Sequence, residues 1–241
     1  MTESSTRERL DRRMKELLDD ILVLGSMVEH ALIKSVEALR RQDLALAQRI
    51  YDADARINAK RFDIENEAMV LIATQQPMAS DLRILASILE VATELERIGD
   101  YAKGIANICS MMGKEVPIKP LVDIPYMAEK SADMLHRALA AFVEKDAETA
   151  GEIPPEDDLV DGLYNQVFRE LITYMIADPS TIDRANYLLW VAHNLERSAD
   201  RVINICERTI YVVTGELKEI KVSDDEHMKV EFIQPANKFE P

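Results

Sequence analysis

The feature that most constrains the fold is an acidic motif that occurs twice in the chain. Glu96-Arg-Ile-Gly-Asp100 in the first half matches Glu196-Arg-Ser-Ala-Asp200, at an offset of 100 residues. Between matched segments the offset rises to 103, so that Asp54-Ala-Arg-Ile57 corresponds to Asp157-Asp-Leu-Val160. Insertions confined to turns are typical of a duplicated unit. The sequence therefore predicts two copies of one structural unit.

The unit is predicted to be helical. Only 7 glycines and 5% aromatic residues are present, whereas β-rich folds need turn glycines and favour aromatic side chains. Apolar residues recur at helical spacing and predict six long helices, at about 6–41, 43–74, 81–111, 127–150, 155–177 and 181–214. Asp43 and Ser180 are the predicted N-caps, and Gly215 the predicted stop. We expect an all-α fold of two tandem, pseudo-symmetric three-helix bundles.

A segment rich in proline separates the two halves. Gly113, Pro117, Pro120 and Pro125 fall within it, and proline cannot continue a helix. The predicted organisation is a first bundle at 1–112, a linker at 113–125, a second bundle at 126–215 and a polar tail at 216–241. The tail is expected to be poorly ordered.

Charge and composition exclude several functions. A formal net charge of −15 disfavours binding to nucleic acid or to an anionic membrane surface. No apolar run is long enough to span a bilayer, and the N-terminal residues lack the apolar stretch of a signal peptide. Cys109 and Cys206 form no CxxC pair. We expect a cytoplasmic protein, and its long apolar helices are compatible with a homodimer.

The repeated motif places two carboxylates on one helix face, because residues at i and i+4 are neighbours. On a helical wheel these acids fall at the edge of the apolar stripe. Stacked carboxylates suit divalent or trivalent cations, and a nearby imidazole favours Fe, Mn, Zn or Ni over Mg. The candidate metal ligands are Glu96, Asp100, Glu196 and Asp200, with Asp54, Asp157, Asp161, Glu207 and His193 as secondary candidates. Helical acids that are simply solvated or ion-paired are the alternative interpretation.

Three segments together resemble the PhoU family. They are Gln76-Pro-Met-Ala-Ser-Asp-Leu-Arg83, the motif at 96–100, and Leu195-Glu-Arg-Ser-Ala-Asp-Arg-Val-Ile-Asn-Ile-Cys-Glu207. The resemblance spans residues 6–215. It implies tandem three-helix bundles and metal, iron among others, held by the two motifs. It also implies a negative regulator of the phosphate-starvation response that links the ATPase of the Pst phosphate transporter to a PhoR-type histidine kinase, without catalysis.

The two copies of the motif are unequal. Gly104 and Asn107 stand in the first half where the second half has Asn204 and Glu207. We therefore expect the second half to hold metal more firmly.

Two other functions fit a helical acidic chain. A scaffold could use the acidic motifs for partner binding without metal. A ferritin-like di-metal enzyme would need Glu-x-x-His pairs inside a four-helix bundle. The sequence has none, and Asp133-Met-Leu-His136 is its nearest match.

Overall fold

The computed structural model describes residues 3–220, with the side chains from residue 7 onward. Within this range the chain is helical and contains no strand, which confirms the all-α prediction. Seven α-helices are present: α1 (Glu3–Arg41), α2 (Leu44–Gln75), α3 (Ala79–Met112), α4 (Asp123–Glu144), α5 (Ala147–Glu152), α6 (Asp157–Ala177) and α7 (Ile182–Thr214).

The helices form two three-helix units, as predicted. In the first unit α1 packs against α2 and α3, and in the second α4 packs against α6 and α7. The middle helix of the second unit is divided into α5 and α6 by a 3₁₀ turn at Pro154–Glu156. Proline lacks the amide hydrogen that a continuous helix needs, so the division follows from Pro154 and Pro155.

The predicted fourth helix was wrong at both ends. It begins at Asp123 and accommodates Pro125 in its first turn, where a proline costs no hydrogen bond. It ends at Glu144 because Lys145 adopts a left-handed conformation with φ 58°. The next helix, α5, is then capped by Asp146, whose carboxylate accepts the amide hydrogens of Glu148 and Thr149.

The other predicted helix ends can be compared directly. The Asp43 side chain accepts the amide hydrogen of Leu46 at 2.9 Å, and Gly215 ends α7 with φ 77°. Both predictions are confirmed. Ser180 is not an N-cap: it lies in a 3₁₀ turn, Pro179–Thr181, whose preceding residue Asp178 accepts the Ser180 amide hydrogen.

The two units pack against each other along α3 and α7, and α1 also contacts α4. Gly25 allows the close approach of α1 to α4, since a Cβ there would lie 2.2 Å from the Leu139 side chain. Polar pairs line the α3–α7 contact: Asn204 donates to Glu94 at 3.1 Å, and Arg208 pairs with Glu90 at 2.8 Å.

No helix in the described part of the chain is both long and apolar enough to traverse a membrane. Residues 221–241, which make up most of the predicted polar tail, lie outside the described residues.

Glu156 connects α4 to the start of α6. Its carboxylate accepts two hydrogen bonds from the Arg137 guanidinium, at 2.8 and 2.6 Å, and also pairs with Lys130. The hydrogen bonds from Arg137 lower the pKa of Glu156 to about 2, burial opposes the shift, and Lys130 adds to it. The second unit is therefore closed along this seam by a charged network.

We predict that Glu156→Gln reduces the loss of stability in acid. A carboxyl group whose pKa is lower in the folded chain stabilises it above the unfolded pKa of about 4.5, and that contribution is lost as the pH falls toward 2. The free energy of unfolding in urea, measured at pH 7 and pH 3, should fall less in the variant than in the wild-type protein. Glu152→Gln, at an exposed position of α5, is the control and should behave as wild type. An equal fall in all three proteins would contradict the prediction.

Candidate functional site

The four motif acids lie where the helical wheel places them. Glu96 is half-buried and Asp100 exposed on α3, and Glu196 and Asp200 are half-buried on α7. Burial raises the pKa of Glu96, the neighbouring Asp100 raises it further, and Arg61 and Arg97 oppose the shift. The motif carboxylates thus form the rim of each bundle, where α3 or α7 meets the preceding long helix.

In the first unit an ammonium group already occupies the acidic seam. Asp54 is 5% exposed on α2, and its Oδ2 lies 2.7 Å from Nζ of Lys103 on α3. Asn58 donates to the same oxygen at 3.1 Å. The hydrogen bond that Lys103 donates to Asp54 is also the main cause of the raised pKa of Lys103. Lys103 therefore supplies at Asp54 the positive charge that a metal ion would otherwise provide.

The second unit has a comparable seam between α6 and α7. The Tyr164 ring lies 6.2 Å from the His193 ring. Burial raises the pKa of Tyr164, and the charge of Glu196 raises it further. Since α6 and α7 are antiparallel neighbours, this register places Asp161 level with Glu196 and Asp157 level with Asp200.

The acids of the second unit have basic neighbours on their own helix. Arg197 approaches Asp200 at 2.8 Å and Glu196 at 3.6 Å. Nδ1 of His193 lies 3.5 Å from Oε2 of Glu196. Burial and Arg197 lower the pKa of His193, although Asp200 opposes the shift. The imidazole is therefore neutral at pH 7 and chemically able to act as a ligand.

Comparison of the units identifies three residues that the sequence analysis missed: Arg61, Lys103 and Tyr164. At the offset of 103, Asn58 and Arg61 on α2 correspond to Asp161 and Tyr164 on α6. At the offset of 100, Lys103 corresponds to Ile203. The amide of Asn58 is thus replaced by the carboxylate of Asp161 in the second unit. The two cations, Arg61 and Lys103, are replaced by the phenol of Tyr164 and the alkyl side chain of Ile203. The same alignment of the repeats, extended beyond the acids, would have revealed this from sequence.

Glu207 does not join the seam between α6 and α7. Its Oε1 accepts the amide hydrogen of Ile220 at 2.7 Å, in the segment after α7. Burial raises its pKa, the Ile220 hydrogen bond and Arg208 lower it, and Glu219 and Glu94 raise it. Glu207 therefore lies on the side of α7 that faces α3 and anchors the chain beyond Gly215.

Among the side chains of residues 7–220, no three His, Cys, Asp or Glu are already grouped as a metal-binding set. Asp157, fully buried, and Asp161, half-buried, provide oxygen atoms on α6 opposite the motif on α7. Coordination there would require Arg197 to turn away, and its side chain is 47% exposed. The donor chemistry of the second unit fits a hard cation after a side-chain rearrangement, whereas that of the first unit is compensated internally.

We predict that Lys103→Met destabilises the protein by about 1–3 kcal/mol. Removing one partner of a buried ion pair costs several kcal/mol, and the cost is reduced here because the Lys103 side chain is 32% exposed. The measurement is urea unfolding at pH 7.

Lys60→Met is the matched control, because its partner Asp20 is 41% exposed, and it should cost less than about 1 kcal/mol. Adding Asp54→Asn to Lys103→Met should recover part of the loss, since the buried charge is then removed as well. If Lys103→Met costs no more than Lys60→Met, the assigned role of Lys103 is incorrect.

Comparisons with known proteins agree with this architecture. The family model described as the PhoU domain matches residues 21–109 and again residues 124–209, one match in each unit. The accessory protein PhoU homologue of the phosphate-specific transport system from Aquifex aeolicus is 36% identical over 209 residues, covering 87% of this chain and 95% of the relative. The corresponding protein of Clostridium acetobutylicum is 36% identical over 220 residues, covering 91% and 100%.

Solved structures share the fold. The crystal structure of PhoU from Pseudomonas aeruginosa superposes with a TM-score of 0.81 at 33% identity, covering 86% of this chain and 99% of the other. The phosphate transport system regulatory protein PhoU from Streptococcus pneumoniae gives a TM-score of 0.81 at 32% identity, covering 88% and 100%. With a family match in both units and relatives aligned over nearly their whole length, the chain belongs to the PhoU family of accessory and regulatory proteins of phosphate transport.

Proposed function

We propose that this protein is a cytoplasmic negative regulator of the phosphate-starvation response, acting between the ATPase of the Pst phosphate transporter and a PhoR-type histidine kinase. The observation that carries the proposal is the near full-length alignment with accessory proteins of the phosphate-specific transport system, at 36% identity over 95% and 100% of the relatives. On this proposal the protein works by binding its partners and not by catalysis.

The shape of the chain supports such a role. Helices α1, α2, α3 and α7 contain 39, 32, 34 and 33 residues, which corresponds to about 50–60 Å each at 1.5 Å per residue. A bundle of such long helices has separate faces that could contact two partners or a second copy of the chain. A homodimer forms part of the proposal.

Deletion of the gene in its own organism should leave phosphate-regulated genes expressed at high external phosphate. Transcript levels of a phosphate-transport operon, measured at high and low phosphate, test this outcome. Reintroduction of the wild-type gene is the control and should restore repression. Normal repression in the deletion strain would rule out the proposed regulatory role.

We also propose that the second unit binds a divalent or trivalent metal ion through Glu196 and Asp200 on α7 and Asp157 and Asp161 on α6. Fe, Mn, Zn, Ni and Mg are candidates by donor chemistry. A bound ion would replace Arg197 as the partner of Glu196 and Asp200 and would cross-link α6 to α7. His193, 3.5 Å from Glu196, is an additional donor that would favour a transition metal.

Metal binding at Glu96 and Asp100 is proposed to be weaker. The nearby Asp54 is paired with Lys103 at 2.7 Å, and Arg61 and Arg97 lower the pKa of Glu96 against the effect of burial. A metal ion entering this seam would have to displace a bound ammonium group and would meet the repulsion of the two guanidinium groups.

A metal titration distinguishes the two units. Isothermal titration with Mn²⁺, and elemental analysis after gel filtration, should give metal bound tightly by wild-type protein and by Glu96→Ala/Asp100→Ala. Glu196→Ala/Asp200→Ala should bind at least about tenfold more weakly. Circular dichroism of each double variant controls for folding.

Two outcomes of the titration would reject the assignment. If only Glu96→Ala/Asp100→Ala loses metal binding, the metal site lies in the first unit and not in the second. Absence of specific metal in every protein would instead favour a scaffold whose acidic motifs pair with Arg197 and with basic partners.

A further inference from the structure

A long apolar groove lies between α1 and α2, on the outer side of the first unit. Its volume is about 1000 Å³, and it runs from Leu22 to Lys34 on α1 and from Leu46 to Ile57 on α2. Twelve or thirteen residues of helix correspond to about 18 Å. The apolar side chains that form it include Leu22 and Val23, which are 37% and 50% exposed. Exposed aliphatic side chains beside a groove are typical of a docking surface.

The groove carries positive charge although the chain as a whole is strongly acidic. Arg49 and Arg56 lie on its α2 edge, and His30 and Lys34 on its α1 edge, whereas Asp52 is the single carboxylate among the lining residues. Lys34 is paired with Glu37 at 2.5 Å. Arg49 and Arg56 are exposed and make no ion pair with any residue of the described range. Because they are seven residues apart, they share one helix face about 10.5 Å apart.

The second unit shows what fills the equivalent seam there. Glu156 occupies the position that corresponds to Ala53, and Lys130 the position that corresponds to His30. The Glu156 carboxylate extends across the seam to Lys130 and Arg137, with hydrogen bonds of 2.8 and 2.6 Å from Arg137. In the first unit the corresponding positions are Ala53, His30 and Glu37, which cannot form this bridge, and the groove there is open.

We propose that the groove between α1 and α2 binds an amphipathic helix of a partner protein through an apolar face and an acidic edge. The apolar side chains of the partner would cover Leu22, Val23 and Ile50. Two of its carboxylates, seven residues apart, would pair with Arg49 and Arg56. This is the helix-in-groove mode of recognition. The inference rests on the proposed adaptor function only in requiring a protein partner.

The probe is a synthetic fluorescent helix of about 15 residues, close to 22 Å long, with leucines on one face and glutamates at two positions seven residues apart. Its binding is followed by fluorescence anisotropy with purified full-length protein. Wild-type protein should bind it saturably, and the affinity should fall as salt is raised from low to physiological levels. Arg49→Glu/Arg56→Glu should weaken binding at least about tenfold.

A charge-swapped peptide, in which both glutamates are lysines, should instead prefer Arg49→Glu/Arg56→Glu over wild type. Arg9→Glu/Arg12→Glu makes the same change of charge near the N-terminus of α1, outside the groove, and should bind like wild type. Ala53→Glu places a carboxylate in the groove lining, four residues after Arg49 and three before Arg56. It should occupy both guanidinium groups and weaken binding at least about tenfold, with helix content and Tm checked by circular dichroism.

Several results would overturn the proposal. They are a lack of saturable binding, equal binding by wild type and Arg49→Glu/Arg56→Glu, or no reversal with the charge-swapped peptide. A wild-type dimer that Ala53→Glu converts to a monomer in sedimentation velocity would instead identify a second copy of the chain as the occupant. None of these results bears on repression by phosphate, so the groove and the proposed function are tested separately.

Discussion

The burial of the apolar stripes of α3 and α7 is the constraint on which the rest of the structure depends. Leu85, Leu95, Leu188 and Leu195 are all fully buried, and each contributes about 1.5–3 kcal/mol through removal from water. These stripes fix the rotation of the two helices about their axes. The side chains at i and i+4 beside each stripe, Glu96 with Asp100 and Glu196 with Asp200, are thereby held along the rims of the bundles. Packing, not the charges themselves, determines where the charges meet.

Once the rims are fixed, the neighbouring helix decides what the acids do. In the first unit Asp54 is neutralised by Lys103 at 2.7 Å and accepts a hydrogen bond from the amide of Asn58 at 3.1 Å. In the second unit the corresponding positions are Asp157, Ile203 and Asp161, which supply more carboxylate and no lysine. The first seam is thus compensated by an ammonium group from the neighbouring helix, whereas in the second seam Glu196 and Asp200 pair with Arg197 of their own helix. The duplicated motif thus belongs to two different electrostatic environments.

The sequence was sufficient to predict the helical class, the six long helices and the caps at Asp43 and Gly215, because these depend on local periodicity and on single residues. It failed at Lys145, where a lysine adopts φ 58°, and at Ser180, where Asp178 is the competing cap. The position of the acids on the rim could be predicted from the wheel, but their partners could not. The contact of Lys103 with Asp54 joins residues 49 positions apart, and it depends on an antiparallel register that periodicity alone does not fix.

The two units differ where the first two helices of each meet, and the difference has a physical explanation. A seam between helices can be closed by a carboxylate of the same chain, as Glu156 does with Arg137 and Lys130, or left open and positively charged, as at Arg49 and Arg56. The ion pairs of the closed seam are retained until the pH approaches the pKa of Glu156, which is about 2. In the open seam, Arg49 and Arg56 make no ion pair within the described residues and lie beside the exposed side chains of Leu22 and Val23. An acidic amphipathic helix could pair with these arginines and cover the aliphatic side chains. The difference involves at least three positions, since Ala53, His30 and Glu37 correspond to Glu156, Lys130 and Arg137, and together these changes replace an internal ion-pair bridge by an open groove.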